Sequence, residues 1–226
     1  MRLRGVWLLC YAGGILFSVS NDTFSADDFQ RLCDELASRD LDLSLVVQTY
    51  GYPPLWSRPN SYETLVQIIL EQQVSLASAK AALEKLRARV KDITPENVAL
   101  LTDEEFRAAY FSRQKTAYVK DLTERILSKQ LDIGALEALS NDEIRQRLLP
   151  VKGIGHWTID VYLILVLHRA DFFPLGDLAA VNALRLLKNL PQGAPHEKLL
   201  DMTMQWQPYR SVGTMLLWHY YLSSRR

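Results

Sequence analysis

The sequence predicts an all-α fold. Three observations carry that prediction. Helix-capping signatures recur along the chain, apolar residues recur at helical spacing, and no stretch after residue 25 alternates as a strand would. Ser25-Ala26-Asp27-Asp28 opens a helix that runs to about Ser38. Leu65, Ile68 and Ile69 form a helical stripe within 61–72, and 75–90 reads as the next helix. Thr94-Pro95-Glu96 sets proline at a first helical position behind a threonine cap. Thr102-Asp103-Glu104-Glu105 and Ser140-Asn141-Asp142-Glu143 repeat the capping signature. A very apolar helix is expected from Trp157 to about Arg169, central and buried. Further helices fit 114–129, 177–190, 195–203 and 208–223, about ten in all.

The chain has 226 residues, of which 48% are hydrophobic and 23% charged, enough for one large domain or two small lobes around a core. Its 26 lysines and arginines balance 26 aspartates and glutamates. That excludes a broadly basic surface, so any grip on nucleic acid must be local, made by backbone dipoles and a few placed cations. Cys10 and Cys33 have neither metal-ligand spacing nor a disulfide framework, which fits a reducing compartment. In residues 1–22, Arg2 and Arg4 precede an apolar run from Val6 to Val19 with the composition of a secretory signal. A buried segment, or translation assigned upstream of the true start, is the favoured reading, because the signal reading rests on composition alone. We therefore expect a cytoplasmic, nucleoid-associated helical domain over 23–226.

The chemistry concentrates in Leu149-Pro150-Val151-Lys152-Gly153-Ile154-Gly155-His156-Trp157-Thr158 and in Phe173-Pro174-Leu175-Gly176-Asp177-Leu178. The first is a Gly-x-Gly turn between two helical patterns. Glycine there lets an anion approach the main chain, and the N–H groups of Gly153, Gly155 and the helix starting at His156 would face it. Ile154 is expected to plug the core. Gly-x-Gly alone is also an ordinary tight turn, and Asp177 alone is an ordinary helix cap.

The longer pattern resembles the helix-hairpin-helix superfamily of DNA base-excision glycosylases, nearest to the compact DNA-3-methyladenine glycosylase II group. Asp177 follows Trp157 by twenty residues, as the catalytic acid does in that group. The likeness covers roughly residues 60–220. It implies two helical lobes with a DNA-binding cleft between them, and hydrolysis of the N-glycosidic bond of alkylated purines in duplex DNA. Asp177 is then the catalytic carboxylate, stabilising positive charge on the sugar and helping to orient water. Gly176 stands where the family often carries a second acid.

The same resemblance implies further roles. Trp157 and Tyr209 line the base pocket, where an electron-poor alkylated purine is held by stacking and cation–π attraction. Tyr62 and Trp218 are expected in the core, and Asp171 in a solvated loop. Gln73, in Glu71-Gln72-Gln73-Val74-Ser75, would enter the duplex where the flipped nucleotide was, with Gln72 structural. Lys152, Gly153, Gly155 and His156 would bind phosphate. Arg113 and Lys115 open a helix, an odd place for cations on dipole grounds; a solvated surface is the default reading, and a nearby phosphate or carboxylate would be the alternative explanation. Strand-cleaving relatives carry a lysine where this chain has Trp157, and an indole forms no Schiff base, so the implied enzyme is monofunctional. No cofactor is implied beyond a monovalent cation, Na+ or K+, on the carbonyls of Leu149, Val151 and Ile154. No cysteine follows Cys33, which leaves no ligands for the iron–sulfur cluster of some relatives. The expected partner is double-stranded DNA containing alkylated bases, bound by a monomer away from membranes. Two alternatives stay open at this point: a non-catalytic DNA-binding module, and a glycosylase for other damaged or mismatched bases.

Overall fold

A computed structural model of the chain describes residues 23–225. The readings made for residues 1–22 lie outside the described residues. Twelve α-helices and two short 3-10 turns follow one another among them, and the β pairing there is one isolated bridge between Thr23 and Arg169. None of these helices is long and apolar enough to cross a membrane.

The helices form two sets. One contains α1 (Ala26–Arg39), α2 (Leu41–Tyr50), α10 (Leu178–Leu187), α11 (His196–Thr203) and α12 (Arg210–Ser223). The other contains α3 (Tyr62–Glu71), α4 (Leu76–Val90), α5 (Pro95–Ala99), α6 (Asp103–Ala108), α7 (Arg113–Leu127), α8 (Asn141–Leu148) and α9 (His156–Leu165). The two chain ends thus build one lobe and the middle builds the other, with residues 51–61 crossing between them. One buried apolar core runs through both.

Local chemistry explains most of the boundaries. Ser25, Ser61, Ser75, Thr94, Ser112 and Ser140 each accept a first-turn amide with their hydroxyls. Thr102 with Glu105, and Ser140 with Glu143, close full capping boxes. Helix α2 is absent from the expected set, and the expected end of one helix needs correction. Helix α2 gave no clear stripe, because leucines surround it: Leu43 is buried while Leu41 and Leu45 are exposed. Its start is fixed instead by Asp40, whose carboxylate accepts the amides of Asp42 and Leu43. Helix α9 ends at Leu165 rather than near Arg169. Its last carbonyls are taken from outside the helix: Arg58 N–H donates to Leu165 O (2.8 Å), and His168 turns left-handed with φ +48°.

Asp40 also ties one lobe together. It is 3% exposed and accepts Lys188 Nζ (2.6 Å), Trp206 Nε1 (2.7 Å) and Gln205 Nε2 (3.0 Å). The pair keeps the Lys188 ammonium charged above its usual range despite partial burial.

Candidate active site

The hairpin sits between α8 and α9. Val151 and Ile154 are buried, so the apolar residues of the turn anchor it, while Gly153 is half-buried and Gly155 exposed. Gly153 has φ +80°, and a β-carbon there would lie 2.1 Å from the Tyr118 ring. Both the dihedral and the neighbouring ring therefore demand glycine. Around Gly155 a β-carbon would meet nothing within 4 Å, leaving the main chain open to an approaching group.

Three contacts hold this turn in place. Gln72 Nε2 donates to Gly153 O (2.9 Å) and to Thr158 Oγ1 (3.0 Å), which gives Gln72 the structural role expected of it. Asp121 Oδ2 accepts the Lys152 amide (2.9 Å) and Arg125 Nε (2.8 Å). Burial opposes the Asp121 charge, but the amide and the guanidinium prevail and hold its carboxyl below the usual range. Arg145 pairs with Asp160 across α8 and α9.

The outward face of the turn has spare donors. Among the described residues, Gly153 N–H and Gly155 N–H have no protein acceptor, and no side chain caps α9. Lys152 and His156 are exposed, and the Lys152 ammonium has no ion-pair partner among the described residues. The carbonyls of Leu149 and Ile154 accept no hydrogen bond from these residues, while Val151 O accepts Ile154 N–H (3.0 Å).

Asp177 caps α10, as its position suggested: Oδ1 accepts Ala180 N–H (2.8 Å). Its carboxylate does more than cap. Trp157 Nε1 donates to Oδ2 (3.0 Å) and Trp218 Nε1 donates to Oδ1 (3.0 Å). Trp157 comes from the middle lobe and Trp218 from the other, so the half-buried acid stands where the lobes meet. A carboxylate offers about four lone-pair directions. Oδ1 uses two and Oδ2 one, which leaves one on Oδ2. The absence of a second acid also has a spatial reason, since a β-carbon at Gly176 would lie 3.0 Å from Trp157 Cβ.

Several expectations change here. Trp218, expected in the core, bonds the carboxylate, and its ring meets Trp56 edge-on at 6.3 Å between centroids. Tyr209, the other aromatic residue of this region, lies half-buried at the N-terminus of α12 with no hydrogen bond to the Asp177 group. Tyr62 is buried as expected. Asp171 is not free in a solvated loop. Arg210 grips it with Nε on Oδ1 (2.7 Å) and a second guanidinium nitrogen on Oδ2 (2.9 Å). Lys115 needs no anion to explain it, because Nζ donates to Leu70 O (2.6 Å) at the C-terminal end of α3. Arg113 is exposed and unpaired among the described residues. Gln73 is exposed at the tip of the loop between α3 and α4, with a left-handed φ of +56° that a side chain of its kind rarely adopts. No sequence signal marks Trp218 or Trp56 as part of the site, since neither lies in a motif with Asp177.

Known proteins share this sequence pattern and this fold. The family model described as HhH-GPD superfamily base excision DNA repair protein matches residues 66–208. The fission yeast Schizosaccharomyces pombe protein named DNA-3-methyladenine glycosylase 1 is 31% identical over 161 residues, covering 70% of this chain and 71% of its own length. The Bacillus subtilis protein YfjP is 28% identical over 184 residues, and the chain spans only 64% of that relative's length. Among solved structures, the fission yeast 3-methyladenine DNA glycosylase Mag1 in complex with abasic DNA superposes with a TM-score of 0.71 at 29% identity. That match covers 83% of this chain and 95% of the Mag1 chain. The chain belongs to the HhH-GPD superfamily of base excision DNA repair proteins.

Proposed function

We propose that the chain is a monofunctional DNA glycosylase that removes alkylated purines of the 3-methyladenine type from duplex DNA and leaves an abasic site. The observation that carries this reading is the Asp177 carboxylate, held by an indole from each lobe with one lone pair of Oδ2 uncommitted. Its relatives named for 3-methyladenine excision support the substrate class.

The reaction follows from that arrangement. The bond between C1′ and the purine nitrogen breaks with its electron pair leaving on the base, already electron-poor through alkylation. Positive charge develops on the sugar, and the fixed carboxylate stabilises it in a setting where no solvent reorganisation is needed. Oδ2 then orients a water towards C1′ and accepts its proton as the C1′–O bond forms. The amides of Gly153 and Gly155, the N-terminus of α9 and Lys152 hold a phosphate beside the lesion. His156 joins them at the same turn. Gln73 fills the gap in the duplex, and Trp157 and Tyr209 wall the base. The carbonyls of Leu149, Val151 and Ile154 are hard oxygen donors suited to a monovalent cation, which would add positive charge against the phosphate. No other cofactor enters the scheme, and the enzyme acts as a cytoplasmic monomer.

The test is base release from duplex DNA carrying 3-methyladenine. Asp177→Asn should lower the single-turnover rate by at least about 100-fold, the loss typical of removing a preorganised charge-stabilising group. Release at the wild-type rate by Asp177→Asn would overturn the assignment.

A further inference from the structure

Trp218 lies outside every sequence motif of the site, yet its indole N–H meets the carboxylate at 3.0 Å. The contact is directional and built in from two sides. Trp218 follows a run of buried α12 residues, Val212 to Leu217, which fixes the helix face it occupies. Trp56, on the segment crossing between the lobes, closes on its ring with an interplanar angle of 76°. The Trp218 ring therefore has little freedom to rotate away from Asp177.

Consider what the carboxylate would do without it. Ala180 N–H fixes Oδ1 along the axis of α10, and Trp157 fixes Oδ2 from the opposite lobe. With only those two donors the group can swing about the line joining them, and the free lone pair of Oδ2 sweeps an arc. A third donor arriving on Oδ1 removes that freedom. From this geometry we infer that Trp218 is a positioning residue, one that sets the plane of the Asp177 carboxylate so that the unused lone pair of Oδ2 faces the sugar. It acts through Asp177 and needs no contact with the DNA. This inference rests on the glycosylase reading above.

The experiment compares Trp218→Phe with the wild type in two measurements: single-turnover base release from DNA carrying 3-methyladenine, and affinity for abasic duplex DNA. Trp218→Phe keeps an aromatic ring and removes the donor. The expected result is a release rate about 10- to 100-fold lower, the range for losing one hydrogen bond to a charged group, with abasic-DNA affinity within about twofold. Where Trp218→Phe proves poorly folded, 3-benzothienylalanine placed at 218 replaces the N–H by sulfur in a ring of nearly the same shape, and the same two measurements apply. A well-folded variant that releases base at the wild-type rate overturns the inference. So does a variant whose rate and DNA affinity fall together, because that marks a general structural role. If the wild-type protein releases no base from any alkylated duplex, it is the glycosylase reading that fails; if the wild type is active and only the Trp218 variants match it, the positioning role fails alone.

Discussion

Replacing Gly153 with alanine tests whether the turn is shaped for a bare main chain. Two separate costs arise. The left-handed dihedral of +80° costs an alanine about 1–2 kcal/mol. The new methyl would also sit 2.1 Å from Cδ2 of Tyr118, far inside contact distance, so the ring or the turn must move. Overpacking of that kind costs about 1–3 kcal/mol. Together they predict a loss of about 2–5 kcal/mol in unfolding free energy. Urea unfolding followed by tryptophan fluorescence measures it. The two costs separate in a double-mutant cycle with Tyr118→Ala, since removing the ring abolishes the clash but leaves the dihedral. In that background Gly153→Ala should cost only about 1–2 kcal/mol. The reasoning is wrong if Gly153→Ala alone is neutral, or if its cost is the same with and without the Tyr118 ring.

Two further outcomes are expected. The Asp121 carboxyl is held below its usual range in the folded state, so it adds stability above its unfolded value of about 3.9 and loses that contribution as pH falls through its lower folded value. Asp121→Asn should therefore be less stable than the wild type at neutral pH, with the gap closing in acid; a gap that stays constant down to the lowest pH of reversible unfolding contradicts this. Lys152→Ala should reduce the slope of log affinity against log salt by about 0.9, the value for one lost phosphate contact on duplex DNA, equally for damaged and undamaged duplexes. An unchanged slope would remove Lys152 from the phosphate site.

Local features of the fold were legible because their causes are local. The Thr102–Glu105 and Ser140–Glu143 boxes, the proline at the start of α5 and the Gly153 turn all depend on residues within a few positions of one another. Asp177 stands out in the sequence only through the family resemblance, whose spacing from Trp157 it shares; its local context reads as a helix cap. What could not be read depends on side chains far apart in sequence. The Trp218–Asp177 bond spans 41 positions, and the Arg210–Asp171 pair spans 39. No periodicity encodes either one. Lys115 was legible as an anomaly, a cation at the wrong end of a helix, but its partner is a backbone carbonyl 45 positions away that carries no sequence mark. The early end of α9 has a similar origin, since residues 24 and 58 compete for the backbone beyond Tyr162.

The placement of one indole from each lobe on the two oxygens of a single side chain bears on which molecule deforms during recognition. Prising the helix sets apart would stretch a 3.0 Å bond on one side of Asp177 or the other, and the reacting group would be lost first. Under the glycosylase reading proposed above, a protein fastened in this way resists opening. The bending and unstacking needed to deliver a nucleotide then fall to the duplex, and a weakened base pair yields to that demand sooner than a sound one.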